Sequence, residues 1–297
     1  MSLLGQLARR TETHRVWFRW PFTVALAIIL GHRENLRRDN LTDTETTPPS
    51  PPEPHGDFIG ARTVTGAQND LAQPWMGMAG ARFARNVELK AAFGETGAEL
   101  MDPSPRLVSN KLMARQAFKP VPHLNVLAAA WIQFMVHDWL SHGKNDKTVL
   151  HEIPLPDGDD WSHGPMTVPR TTPDEKTDAD AGRPTSYANI ETHWWDASQI
   201  YGSTADRMAK VRAGAGLPLN DDGTLPLQDN GLLPIDPEAN VELQGVSDNW
   251  WIGLSLLHTL FVREHNAVVA RLKLDHPDKD GAWLFDKARL VLAALLS

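Results

Sequence analysis

Apolar residues recur at steps of three and four from Asn125 to Ser141 (Leu124, Leu127, Ala128, Trp131, Phe134, Met135), a period that predicts a helix with a deeply buried face. A second long helix is predicted from about Asn249 to Leu272. A third begins near Ala282, with an apolar face through Leu284, Ala288, Val291 and Leu295. Pro, Asp, Gly and Thr dominate from Gly143 to Thr185, which predicts a loop, and an unstructured loop of that length usually has a functional or docking role. Residues 58–104 mix Gly, Pro and short apolar runs without a sustained period and read as irregular with short helices. Strands are scarce and no internal repeat appears. The third helix runs to Ser297 without a Gly or Asn cap or a polar last turn, so the sequence is expected to continue in the parent protein.

The N-terminal segment, residues 1–43, has its own character. Over residues 9–38 Arg9, Arg10, Arg15, Arg19, Arg33, Arg37 and Arg38 meet only Glu12 and Glu34. The apolar run from Pro21 to Leu30 is half of the ~20 residues that a spanning helix needs, so no bilayer crossing is expected. No small-residue cleavage site follows it, which disfavours a signal peptide, and a cytoplasmic location is the expectation. A basic helix bearing Trp17, Phe18, Trp20 and Phe22 suits peripheral contact with an anionic membrane surface, and equally suits packing against the body of the protein. Thr44 to Pro54 cannot continue a helix, because proline lacks an amide and restricts the residue before it. Residues 44–57 therefore read as a Pro-rich linker, and 58–297 as the main domain.

Composition narrows the chemistry. The net charge of −8, with no basic stripe in the main domain, argues against a nucleic-acid partner. With no cysteine, disulfides, thiolate zinc sites, iron–sulfur clusters and Cys-ligated haem are excluded. A metal must rest on His, carboxylate, hydroxyl and carbonyl ligands.

Two segments offer such ligands. On the first helix Gln133 lies one turn before His137, so the two share a face, while Asp138 points about 100° away. A buried His and Gln on one face also describes a satisfied polar pair in a core. In ETHWWDASQIYGS the residues Thr192, Trp194, Asp196 and Ser198 alternate, which on an extended loop aims two hydroxyls, a carbonyl and a carboxylate to one side. These are the hard oxygen donors that calcium takes, and Asp138 adds a second carboxylate. Taken alone, the same run describes a half-buried strand ending at Gly202.

The combination is more specific. A His followed directly by Asp, then T-x-W-x-D-x-S ahead of Tyr-Gly, then R-E-H-N at Arg263, Glu264, His265 and Asn266, resembles the animal haem peroxidase and cyclooxygenase superfamily. The phrases NDLAQPWMGMAGARFARN, LNVLAAAWIQFMVHDW and FVREHNAVV are similar to its fatty-acid alpha-dioxygenase branch. The resemblance implies a mainly α, haem-peroxidase-like helical fold with long irregular loops and little strand, of which this chain holds the N-terminal, distal-side half. It implies haem b and calcium as cofactors, His137 as the distal histidine that handles peroxide protons, and Gln133 as the distal glutamine. Asp138, Thr192, Asp196, Ser198 and the Trp194 carbonyl would hold the calcium, and Arg263 to His265 would be structural. The implied activity is 2-hydroperoxidation of a long-chain fatty acid with oxygen, through a tyrosyl radical. The family's proximal His, radical Tyr and carboxylate-binding Arg are expected beyond Ser297, and neither Tyr187 nor Tyr201 matches the radical position.

Two departures refine this. Mammalian secreted peroxidases esterify haem through acids at positions held here by Val136 and Trp250, so the haem is expected to be non-covalent. Their distal arginine falls at Ser247, and no Arg or Lys occurs between Ala213 and Val262. The absence of a guanidinium disfavours halide oxidation. The alternatives are a peroxidase that oxidises small donors with hydrogen peroxide, an inactive calcium-binding remnant, and a metal hydrolase on His137 and His142. The hydrolase fails because H-x4-H is not the i, i+4 zinc spacing.

Overall fold

In a computed structural model of the chain, the described residues are 3–39, 60–85, 87, 89–92, 101–136, 139–143, 145–175, 181–216, 220–247 and 249–297. The proposed linker, 44–57, and two site residues, His137 and Asp138, lie outside them. The elements run α1 (Leu3–His14), α2 (Phe22–Asp39), α3 (Pro105–Val108), α4 (Val126–Val136), β1 (Asn145–Glu152), β2 (Thr167–Thr171), α5 (Ser198–Tyr201), α6 (Ala205–Ala213), β3 (Ile235–Asp236), β4 (Val241–Glu242), α7 (Ile252–Asp275) and α8 (Gly281–Leu296). The chain is mainly helical, with two small antiparallel two-stranded sheets among the described residues.

The core lies where α7 meets α4, α5 and α8. Phe134 of α4 stacks on Phe261 of α7 with ring centroids 5.2 Å apart, and Trp131 sits 6.1 Å from the same ring. Tyr201, Phe134 and Phe285 are fully buried together with Leu254 and Leu292. Local chemistry sets several boundaries. The Thr204 side chain accepts from the Arg207 amide at the start of α6, and Gly214 closes that helix in the left-handed region at φ 61°. The Asp280 carboxylate accepts from the Trp283 amide at 2.9 Å to cap α8.

Three expectations need correction. The first predicted helix is found at 126–136, but only Ala130 and Phe134 of it are buried. Leu127, Trp131, Ile132 and Val136 are each more than two fifths exposed, because the main packing of α4 is one-sided, against α7. In α8 the buried stripe is Leu284, Phe285, Ala288, Leu292 and Leu296, while Val291 and Leu295 are exposed. A single 3.6-residue period fits either stripe, and the position of α7 selects one. The long loop contains a hairpin, β1 with β2, whose register slips between Asp146 and Leu150. Its Asp, Pro and Gly content masked the short β-branched runs that pair.

The N-terminal segment forms two helices. α1 and α2 pack on each other, with Ala8, Ala25 and Ile28 buried and the Asn35 side chain donating to the Gly5 carbonyl at 2.9 Å. No described helix is long and apolar enough to cross a membrane.

Candidate functional site: a buried oxygen cluster beside the α4 helix

Two distant stretches of sequence are stitched together just after α4. The Asn189 side chain accepts from the Ser141 amide at 2.8 Å and donates to the carbonyls of Trp139 (2.9 Å) and Glu191 (2.8 Å), and Ile190 N–H donates to Ser141 O at 2.8 Å. Asn189 is buried, and its side chain gives these backbone groups the partners that no sheet supplies here. The loop that follows is thereby held beside the C-terminal end of the α4 segment.

In that loop the oxygens converge. Thr192 Oγ1 donates to Asp196 Oδ2 at 2.7 Å and lies 3.5 Å from Ser198 Oγ, and the Ser198 amide donates to Asp196 Oδ1 at 3.1 Å. All three residues are buried. Burial pushes the Asp196 carboxyl above its ordinary range, opposed by Thr192, Ser198 and the Arg289 charge. The backbone is not extended, as the alternation had implied. Asp196 N–H turns back to the Trp194 carbonyl at 2.9 Å, and Ala197 is left-handed at φ 63°. The turn folds Asp196 inward, whereas Trp194 is fixed through its indole, which donates to Met76 O at 2.9 Å. The structure therefore brings Thr192, Asp196 and Ser198 together, and the Trp194 carbonyl serves the turn. No group of three or more His, Cys, Asp or Glu that could hold a metal occurs among the described residues. A second carboxylate, Glu191, accepts from Ser203 Oγ, which itself accepts from the Thr192 amide at 3.2 Å.

Gln133, on the half-buried side of α4, accepts from Trp251 Nε1 at 2.7 Å and makes a long contact of 3.5 Å to Asn249 O. These bonds fix its amide against the start of α7. Met135, two residues on from Gln133, lines a separate open hollow with Trp139, Trp194, Trp195, Gln199 and Leu296.

Sequence reasoning missed three features. First, Ser247 is not remote from positive charge. Arg207, from α6, donates to Ser247 Oγ and to the Gln244 and Gly245 carbonyls, and pairs with Asp236 at 3.6 Å. A cation-free stretch says nothing about arginines from another helix. Second, buried Glu242 accepts from Trp250 Nε1 (2.7 Å) and Ser255 Oγ (2.6 Å). Third, the R-E-H-N run acts through its last two residues. His265 Nδ1 faces Tyr201 Oη at 2.7 Å and its Nε2 faces Gly223 O at 3.0 Å, while Asn266 bonds both the amide and the carbonyl of Leu225. The carbonyl can only accept, so Nε2 carries the proton and Nδ1 accepts from tyrosine. Burial lowers the His265 pKa to about 4 and pushes the Tyr201 hydroxyl far up. Close approach also requires glycine at position 245, where a side chain would strike the Ser198 carbonyl and the Gly202 amide.

Residues 61–297 match the animal haem peroxidase family, and the chain belongs to it. It is 33% identical to the alpha-dioxygenase PIOX of rice, Oryza sativa subsp. japonica, over 297 aligned residues that cover 96% of this chain and 44% of that protein. The crystal structure of the Oryza sativa fatty acid alpha-dioxygenase superposes with a TM-score of 0.81 at 31% identity, covering 100% of this chain and 47% of that one. A substituted form of that enzyme, determined with palmitic acid, superposes with a TM-score of 0.79 at 31% identity and covers the same shares. The chain thus spans less than half the length of these alpha-dioxygenases.

Proposed function

We propose that this chain is the distal-side portion of a fatty-acid alpha-dioxygenase that inserts oxygen beside the carboxylate of a long-chain fatty acid. The observation that carries the reading is the end-to-end likeness to alpha-dioxygenases, in sequence and in backbone. The family is one of haem proteins. Haem b, when bound, supplies the one-electron oxidation from which fatty-acid oxygenation starts. The residues present fit it: α4 offers an uncovered apolar side with Trp131, Ile132 and Val136, suited to a flat apolar macrocycle, and the single fixed amide of Gln133. His137, by its place in the motif, is the group that accepts and returns a proton on this side. The haem is non-covalent, since Val136 and Trp250 cannot form esters.

Thr192, Asp196 and Ser198 fit calcium by their chemistry, a buried carboxylate with two hydroxyls, and Asp138 and the Trp194 carbonyl complete the proposed set. The ion would tie this loop to the segment that carries His137. Arg207 brings a guanidinium to Ser247, but its nitrogens are engaged by Ser247, two carbonyls and Asp236, so halide oxidation stays disfavoured. The reading also includes a cytoplasmic location and peripheral membrane contact through residues 1–43.

The test is oxygen uptake by the haem-loaded gene product with palmitic acid, with His137→Ala as control. Consumption of oxygen with formation of a 2-hydroperoxide, lost in the variant, supports the proposal. Oxidation of small donors by hydrogen peroxide without fatty-acid oxygenation would replace it with the peroxidase reading. Calcium binding without haem would replace it with the remnant.

A further inference from the structure

The N-terminal hairpin carries large apolar side chains on its outside. Its two helices cross almost backbone to backbone: a side chain at Gly31 would lie 2.6 Å from Leu4 O and 2.7 Å from Ala8 Cβ, and one at Gly5 would strike the Asn35 amide. Small residues thus fill the seam, and the large ones remain outward. Leu3 is 77% exposed, Phe22 80% and Phe18 64%. Leu7, Leu26 and Ile29 are exposed as well.

The turn between the helices is aromatic and cationic. Trp17 and Phe18 sit edge to face at 5.6 Å in a short 3-10 turn, and the Trp20 indole donates to Arg15 O at 3.1 Å with the Arg15 guanidinium 5.5 Å above its ring. The tip thus presents Trp17 and Phe18 between Arg15 and Arg19, with Phe22 exposed three residues further on at the start of α2. In the described residues the substantial contacts of α1 and α2 are with each other.

We propose that the α1–α2 hairpin docks tip-first on an anionic lipid surface, with Trp17, Phe18 and Phe22 at the acyl boundary and Arg15 and Arg19 on the lipid phosphates. Aromatics flanked by arginine are what a headgroup interface selects, since the rings prefer the boundary and the guanidiniums bond phosphate. The charge is local: the segment is basic while the chain as a whole carries −8. A second copy of the chain is a poor occupant, because it would set its own arginines against these. The apolar run is too short to span, so the hairpin lies in one leaflet. The inference deepens the proposed membrane contact of residues 1–43 and is independent of the haem chemistry, so vesicle binding can fail while oxygenation stands.

The chain lacks cysteine, which gives a clean probe. Phe18→Cys and, as a control on the exposed β1–β2 connection, Ser162→Cys would each carry an environment-sensitive fluorophore. They would be mixed with vesicles of phosphatidylcholine alone or with a third phosphatidylglycerol. The expected result is a shift to an apolar environment at position 18 only, with the anionic vesicles only, weakened by salt. In flotation, Phe18→Ser with Phe22→Ser and, separately, Arg15→Glu with Arg19→Glu should each lower binding at least tenfold, with helix content unchanged by circular dichroism. A label at position 18 that stays polar, equal binding to neutral vesicles, or binding indifferent to both double variants overturns the proposal. So does a lipid-free dimer that buries position 18.

Discussion

Residues 189–203 and helix α4 invert the usual association of regular structure with burial. The loop has one turn of helix, yet nearly every residue from Thr192 to Ser203 is at least half-buried, its polar atoms bonded to one another or to particular partners elsewhere, among them Ser141, Met76 and His265. α4 is a regular helix of strongly apolar sequence, yet it buries two side chains. Internal hydrogen bonds allow a helix to stand with only one side covered, whereas an irregular loop is buried only if each amide and carbonyl finds a specific partner. Burial in the loop is therefore chemically particular, and burial on α4 depends on its neighbours.

The contrast within α4 is the first thing to break. Phe134→Ala should cost about 3–5 kcal/mol in urea unfolding, since it empties a site stacked on Phe261. A cost below about 1 kcal/mol would mean that α4 is not anchored by that ring.

The loop's anchor to α7 is tested by pH. His265 has a folded-state pKa of about 4, below its ordinary 6.5, so the unfolded chain takes up the proton first. Stability should be full above pH 6.5 and fall by about 3 kcal/mol as pH drops from 6.5 toward 4. His265→Gln should flatten that part of the profile. A wild-type profile flat across this window would contradict the buried neutral imidazole.

A smaller effect is expected inside the oxygen cluster. Asp196→Ala leaves Thr192 Oγ1 and the Ser198 amide without their acceptor and should cost about 2 kcal/mol in the absence of calcium. Added calcium should raise the melting temperature of the wild type and leave the variant unmoved. Equal calcium responses would remove Asp196 from the ligand set.

The smallest change belongs to the open side of α4. Ile132→Ser should alter stability by less than about 0.5 kcal/mol, while gel filtration shows less self-association of residues 1–297 through the exposed apolar side. A loss comparable to that of Phe134→Ala would show that the side is covered in solution.

Periodicity located α4, α7 and α8 within a few residues, because a 3.6-residue repeat is local and survives any tertiary arrangement. Motif spacing likewise singled out Thr192, Asp196 and Ser198, whose side chains do meet. What it could not foresee is how they meet, since the alternation implied an extended run and a left-handed Ala197 with a turn at Trp194 does the work instead. Which stripe of α8 is buried, and that α4 has an open side, depend on where α7 lies, a property of the assembled helices. Arg207 at Ser247 and Tyr201 at His265 join residues 40 and 64 positions apart in the chain. Sequence determined the elements and the kinds of atoms available, because both follow from local chemistry. Tertiary structure alone decided which atoms are within bonding distance, because distance in space is set by packing and not by separation along the chain.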